Sequence, residues 1–375
     1  MPTIGPPSLL VYYHIPKTGG SSTREWLLRN AGVRARGLPA RLNGIVRYYE
    51  AQCFFCLQLA DALGADSGCE QSVRRKCAGG FTKRPASFDF ERGNWLTAGA
   101  LAVEFHGPSE AIFIEHVLPR AHALRELYAK RNGTCKFATI IREPIDFLFS
   151  SYHMWPPRPL QQQSSKQRRL QRPQRAAAAG SSTTAVAASS ANGITAADAD
   201  VARAVVVAFP RWVRSAPGLQ TAFLTSPSCV AVSRADGHRN KCGSDPKAVG
   251  SAATALAQFD VVGVTACLSS FFDSVATAMR FSPPDTPSAR HQRRARGGNA
   301  SAGLLQAQPR CGDCSALENA AHARWSWDGL SAVQRRTALE VASYDERIYR
   351  LALPRAAKEW PGAAECNPPE RERSV

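Results

Sequence analysis

The residues best equipped for chemistry are Lys17-Thr18-Gly19-Gly20-Ser21-Ser22, which follow the apolar run Val11-Tyr12-Tyr13-His14-Ile15 at the point where a helix should begin. Two glycines let backbone approach an anion closely, the first amides of the helix point at it, and a lysine with hydroxyls completes the shell. The pattern is that of a phosphate cradle. Its order excludes the commonest nucleotide loop: a Walker sequence places lysine after its glycines, whereas Lys17 precedes Gly19 and Gly20.

A second anion-binding feature lies further along. Cys135-Lys136-Phe137-Ala138-Thr139-Ile140-Ile141 predicts a short buried strand, and Arg142-Glu143-Pro144 follows it, with proline suited to the first position of a helix running to Trp155. Arg142 at the strand end offers a planar fork for a phosphate, and Ser150 lies about two turns along the helix, where it adds a hydroxyl.

Taken together, His14-Ile15-Pro16-Lys17-Thr18-Gly19-Gly20-Ser21-Ser22 resembles the 5′-phosphosulfate loop of the Golgi carbohydrate sulfotransferases, the group that includes the heparan sulfate 2-O- and 6-O-sulfotransferases. Arg142-Glu143-Pro144 with the Phe147-Leu148-Phe149-Ser150-Ser151-Tyr152 helix resembles the 3′-phosphate motif of the same family, and Phe259-Asp260-Val261-Val262-Gly263-Val264-Thr265 resembles a strand its members carry near the active site. A weaker likeness lies in Tyr344-Asp345-Glu346-Arg347-Ile348-Tyr349. The resemblance covers separated patches, and the loops between them match nothing in the family.

This resemblance implies a P-loop-like, three-layer α/β fold with a central parallel sheet. It also implies PAPS (3′-phosphoadenosine 5′-phosphosulfate) as sulfate donor. The donor's 5′-phosphosulfate is then held by Lys17, Thr18, Gly19, Gly20, Ser21 and Ser22, and its 3′-phosphate by Arg142 and Ser150. Sulfuryl transfer parallels phosphoryl transfer: it needs charge stabilisation at the leaving phosphate and a base at the acceptor hydroxyl. Lys17, inside the cradle, suits the first role. For the base, His106 occupies a position resembling the strand-end His-Gly element of the family, although Glu104 and the lack of a second histidine after Gly107 depart from that element. Either His106 or Glu104 can deprotonate the acceptor, with His106 preferred because imidazole titrates near neutral pH. His14 is read as ordering the turn, and His116, His122 and His153 as structural. The mechanism requires no metal.

The elements that position these groups are legible as an alternation of strands and helices, which predicts a parallel sheet covered on both faces with ligand at the carboxyl ends of the strands. A strand from Leu9 to Ile15 leads through the loop into a helix from Ser21 to Ala31, with Gly32 as its C-cap. Leu101-Ala102-Val103-Glu104-Phe105-His106-Gly107 reads as a short strand ending in a polar, glycine-terminated turn, a helix starting at Ser109 or Pro119 runs to Lys130, and Val201–Val213 suits a helix, with a strand at Val205-Val206-Val207 as the alternative. Asp245-Pro246 opens a helix through Ala257, the strand Phe259–Thr265 follows, and a helix spans Leu268–Arg280. Ser331-x-x-Gln334 resembles a capping box before a final apolar-striped helix.

The 375 residues, 44% of them hydrophobic, suit one large α/β domain with insertions or two smaller ones; the resemblance implies a single sulfotransferase domain, interrupted by a low-complexity insertion at about 156–200, read as disordered, and a mobile loop at about 282–310. The net charge of +17 has local sources, among them Arg158, Lys166, Arg168, Arg169, Arg172 and Arg175, then Arg290, Arg293, Arg294 and Arg296. A basic surface attracts polyanions. No nucleic-acid fold signature accompanies it, so the expected partner is a glycan or polysaccharide acceptor, acidic rather than neutral, with no nucleic acid. Three function classes stay in view: the sulfotransferase, a catalytically inactive polyanion-binding relative, and, last, a nucleotide kinase with an unusual loop.

Eleven cysteines, with close pairs at Cys53/Cys56, Cys69/Cys77, Cys229/Cys242 and Cys311/Cys314, favour disulfides and an oxidising compartment, although the first and last pairs have spacing that also permits one zinc tetrad. Sequons at Asn132 and Asn299 fit a lumenal protein. The resemblance implies the Golgi lumen and an amino-terminal membrane anchor. No signal peptide or spanning run precedes Leu9, so the chain reads as a truncated or excised domain, with a cytoplasmic enzyme as the alternative.

Overall fold

Strand β1, Ser8–Tyr13, is the centre of the molecule because both of its faces are apolar. The computed structural model describes residues 7–30, 45–46, 101–106, 110–154, 208–233, 237–240, 245–279 and 327–359. Within them β1 pairs in parallel with β3, Leu101–Phe105, on one side and with β4, Thr134–Ile141, on the other. The short strand β2, Ile45–Val46, lies outside β3. Strands β5, Val230–Ser233, and β6, Gly237–Asn240, form a separate antiparallel hairpin. The sheet is completed beyond β4 by β7, Val261–Val264, giving the order β2-β3-β1-β4-β7. All five strands run parallel, as the alternation of elements predicts, and the α/β class follows.

Because side chains alternate across a strand, the sheet builds two cores. Leu9, Val11 and Tyr13 point into the larger one with Phe105, Phe137, Ile141 and Val264, while Leu10 and Tyr12 point into the smaller with Ala138, Ile140 and Val261. The smaller core is closed by α1, Gly20–Asn30, and α7, Leu268–Met279, through Leu27, Phe271, Val275 and Met279. Gly263 is what lets α7 lie close, since a Cβ there would sit 2.5 Å from the Phe271 ring. Its other face is covered by α2, Ala121–Ala129, α3, Pro144–Met154, the helix α4 at residues 208–214, α5, Leu219–Thr225, α6, Pro246–Ala257, and α8, Ala332–Glu359.

Several local expectations are met at the predicted residues. Asp245 caps α6 by accepting from the Lys247 amide at 2.9 Å, with Pro246 at the first helical position. Ser331 and Gln334 form the reciprocal capping box of α8: the Ser331 amide donates to Gln334 Oε1 at 2.8 Å and the Gln334 amide to Ser331 Oγ at 3.3 Å.

The helix expected before β4 is less regular than periodicity suggests. Its pitch changes from an α turn at Glu110–Ile112 to a π turn at Phe113–Val117 and a 3-10 turn at Leu118–Arg120 before α2 begins. Pro119, which has no amide to donate, sits where the pitch tightens, and Phe113 is inserted between Tyr13 and Phe259, with its ring centroid 4.5 Å from that of Tyr13. Residues 208–214 are helical, as expected for the end of that segment, while Val205-Val206-Val207, where a strand was the alternative, lie outside the described residues. The expected low-complexity insertion, the loop at 282–310, the arginine clusters, the Gly32 cap and the Cys53, Cys56, Cys311 and Cys314 set lie outside the described residues.

Candidate anion-binding site at the carboxyl edge of the sheet

The loop that joins β1 to α1 leaves the sheet between the carboxyl ends of β3 and β4, where the chain's path switches from one side of β1 to the other. Such a switch point is where open parallel sheets bind ligands. The loop is built from two left-handed residues, Lys17 at φ 68° and Gly19 at φ 89°. For lysine that conformation is uncommon and must be held by its surroundings. Thr18 is fully buried, and both its amide and its hydroxyl donate to the Ile15 carbonyl, at 3.3 and 2.7 Å. Thr18, expected to help hold the 5′-phosphosulfate, directs both of these donors to the shape of the loop. Thr23 closes the entry to α1, its amide and hydroxyl both donating to the Gly19 carbonyl.

Gly20 starts α1, one residue earlier than expected, and cannot be replaced without displacement: a Cβ there would lie 1.7 Å from His14 Nε2. Backbone approaches the imidazole that closely only because glycine has no side chain. Ser22, in the first turn of α1, is exposed.

On the β4 side, Arg142 reaches across. Its Nη1 donates to the Lys17 carbonyl at 3.0 Å, joining residues 125 apart in sequence, so the two candidate anion-binding features meet. Its Nε is buried and, among the described residues, has no hydrogen-bond partner. Burial lowers the guanidinium pKa, and Asp146 and Glu143 oppose that shift. Ser150 lies half-buried on α3, whose first residue is Pro144 as expected. Arg142 is anchored from behind by Gln220, which was not foreseen. Gln220 Oε1 accepts from the Arg142 amide and its Nε2 donates to the Arg142 carbonyl, both at 2.9 Å.

On the β3 side, four titratable groups converge with Arg24. Register places Glu104 beside Tyr12, and its buried carboxylate accepts from Arg24 Nε and Nη2, both at 2.7 Å, and from His14 Nδ1 at 2.8 Å. Burial pushes the Glu104 carboxyl up, but the hydrogen bonds from His14 and Arg24 outweigh it and hold the group at about 2. Glu104, one of the two expected bases, is thus a buried carboxylate paired with both Arg24 and His14. Burial also pulls His14 down to about 4 against the pull of Glu104, so its ring is neutral and Nδ1–H is the donor to Glu104. The His14 ring, expected to order the turn, lies against Gly20 at the start of α1.

The partner ring is His106, at the end of β3. It stacks on His14 with centroids 4.0 Å apart, remains partly exposed, and its Nδ1 lies 3.1 Å from the His14 carbonyl and 3.4 Å from Glu110 Oε1. Both neighbours of Nδ1 are acceptors, so the neutral ring carries its proton there and its lone pair on Nε2.

Lys17, Gly19, Gly20, His106 and Arg142 are thus brought to one edge, with Glu104 behind them. Arg24, Gln220 and Asp345 are the residues that sequence reasoning missed. Asp345 alone left a trace: it falls between Val341 and Ile348 on the buried stripe of α8, where an acid needs a reason. Among the described residues, no group of three or more His, Cys, Asp or Glu side chains is arranged to hold a metal, and no helix is long and apolar enough to cross a membrane. Comparison with protein-family profiles, curated proteins and solved structures gives no match to this chain.

Proposed function

We propose that this chain is a PAPS-dependent sulfotransferase that moves a sulfuryl group to a hydroxyl of an acidic glycan, on a P-loop-like, three-layer fold. The observation that carries this reading is the contact between Arg142 and Lys17, which unites two sequence-distant anion-binding features at a switch point of the sheet. The residues present fit the donor. Gly19 supplies the left-handed turn and Gly20 lets the loop close on the His14 ring, which together give the loop its cradle shape, and among the described residues the buried Arg142 Nε has no hydrogen-bond partner. In water-excluded surroundings such a donor strongly favours an anion.

When bound, the donor supplies the transferable sulfuryl group and a phosphate as leaving group. Lys17, Gly19, Gly20 and the first turn of α1 would hold the 5′-phosphosulfate, with Ser21 and Ser22 beside them, and Arg142 with Ser150 the 3′-phosphate. Lys17 offsets negative charge as it develops on the leaving oxygen. His106 takes the acceptor's proton at Nε2, while its Nδ1–H donates to the His14 carbonyl and Glu110 stands by to stabilise the imidazolium. His14, Glu104 and Arg24 fix the ring beneath it. The engagement of Cys229 and Cys267 in disulfides supports an oxidising compartment, which the Golgi lumen provides.

The test is transfer of radiolabelled sulfate from PAPS to a panel of desulfated polysaccharides. We expect labelled product from the wild-type chain, a loss of roughly 100-fold or more in Lys17→Ala, as when one charge-stabilising group is removed, and a comparable loss in His106→Ala. No product on any acceptor, with no calorimetric binding of the desulfated donor PAP, would sink this reading and leave a polyanion-binding relative as the better account.

A further inference from the structure

Helix α5 begins without a side-chain cap of its own. Its N-cap is Gly218, at φ 60°, and residues 219–224 are all buried, so the first amides of the helix have no water to turn to. The missing acceptor comes from α8. Asp345 accepts from the Gln220 amide at 3.1 Å, from the Thr221 amide at 2.8 Å and from the Thr221 hydroxyl at 2.8 Å. A residue about 125 positions away in sequence performs the work of an N-cap.

The residue so fixed is the one that grips Arg142. Gln220 is fully buried, and its amide pairs with both backbone polar groups of Arg142, as a neighbouring strand would. Arg142 in turn donates to the carbonyl of left-handed Lys17. An unbroken series of hydrogen bonds runs from α8 through α5 and the end of β4 to the cradle.

We propose that Asp345 is a positioning residue for the anion site, setting the place of Arg142 and the conformation of the Lys17 loop through Gln220. The inference rests on reading the cradle as the anion site, and it deepens that reading by naming what holds it in shape. Asp345 is a costly choice for a purely structural cap: its partners are two amides and a hydroxyl with no cation among them, and burial raises its carboxyl to about 6 against those bonds. Asparagine retains an acceptor in the same place, whereas alanine leaves two buried amides unsatisfied.

The experiment is amide hydrogen exchange, read by mass spectrometry on the full chain, for wild type, Asp345→Ala, Asp345→Asn and Gln220→Met. Segment 135–141 serves as the control for global folding, and PAP binding is measured in parallel by calorimetry. We expect Asp345→Ala and Gln220→Met each to speed exchange in segment 14–20 about tenfold or more while 135–141 stays protected. Asp345→Asn should recover most of that protection, and the Ala/Met double variant should be no faster than either single. PAP should bind about tenfold more weakly wherever segment 14–20 is loosened. Faster exchange confined to α5 and α8, with 14–20 unchanged, overturns the inference. If Asp345→Ala loses protection at 135–141, Gln220→Met and Asp345→Asn decide the matter. A wild-type chain that binds no PAP removes the donor assignment, yet the exchange pattern still judges the relay.

Discussion

Glu104 and Asp345 are buried to the same degree, each 1% exposed, yet their surroundings drive them in opposite directions. Glu104 faces the Arg24 guanidinium and the His14 ring, and is held well below the usual carboxylate range; Asp345 faces only neutral donors, and rises to about 6. Burial acts on both alike, so the presence of a cation decides the outcome. The difference also sorts them by role. Glu104 is a fixed charge that steadies the His14–His106 stack, whereas Asp345 is an acceptor whose value lies in where its oxygens sit.

The sharpest way to break this comparison is Glu104→Gln. It strips the bidentate partner from Arg24, and removing one member of a buried pair should cost about 3 kcal/mol, read as a lower midpoint in urea with an unchanged slope. A loss no larger than that of Asp345→Asn would mean that the two sites differ less than their partners imply.

Acid titration of stability tests the opposite signs directly. Asp345 has its folded pKa raised from 3.8 to about 6, so the folded state binds the proton more readily. Its contribution is fully present below 3.8 and is lost as pH rises through 6. His14 has its folded pKa lowered from 6.5 to about 4, so the unfolded state binds the proton more readily. Its contribution is present above 6.5 and is lost as pH falls through about 4. Between pH 6 and 4 the two oppose each other. Asp345→Asn removes one side of that balance, and its stability relative to pH 7 should fall about 2 kcal/mol further than wild type by pH 4. Parallel curves for the two proteins would contradict the assignment.

The smallest effect is expected from Asp345→Asn at pH 7. Loss of a buried, cation-free charge offsets the weaker acceptor, and the midpoint should shift by less than about 1 kcal/mol. That near-neutrality, set beside the large cost of Glu104→Gln, is what the comparison predicts.

How much of this was legible beforehand depends on whether a feature is local. The start of α6 at Asp245-Pro246, the Ser331/Gln334 capping box and the apolar strands were readable because their causes lie within a few residues. The loop between β1 and α1 was readable for the same reason, although nothing in the sequence marks the left-handed turn of Lys17 or the internal use of the Thr18 hydroxyl. What was not legible depends on partners far along the chain. Glu104 looked like a rival base because its two partners, Arg24 and His14, are 80 and 90 residues away. Gln220 carried no signal at all, since its function exists only once β4 and α5 are side by side. The π turn escaped because it is forced by the packing of Phe113 and the position of Pro119 rather than by helical period.

The dependence of α5 on Asp345 also orders the life of the nascent chain. Synthesis delivers the glycine loop first, then His106, Arg142 and Gln220, and α8 is the last element described. Domains begin to fold as they emerge, but until residue 345 has left the ribosome the first turn of α5 has no acceptor and Arg142 no firm anchor. On the proposed relay, a loop translated early therefore takes its final shape only when a helix translated later arrives, and a chain released before residue 345 would carry Lys17, Arg142 and Gln220 without the cap that aligns them.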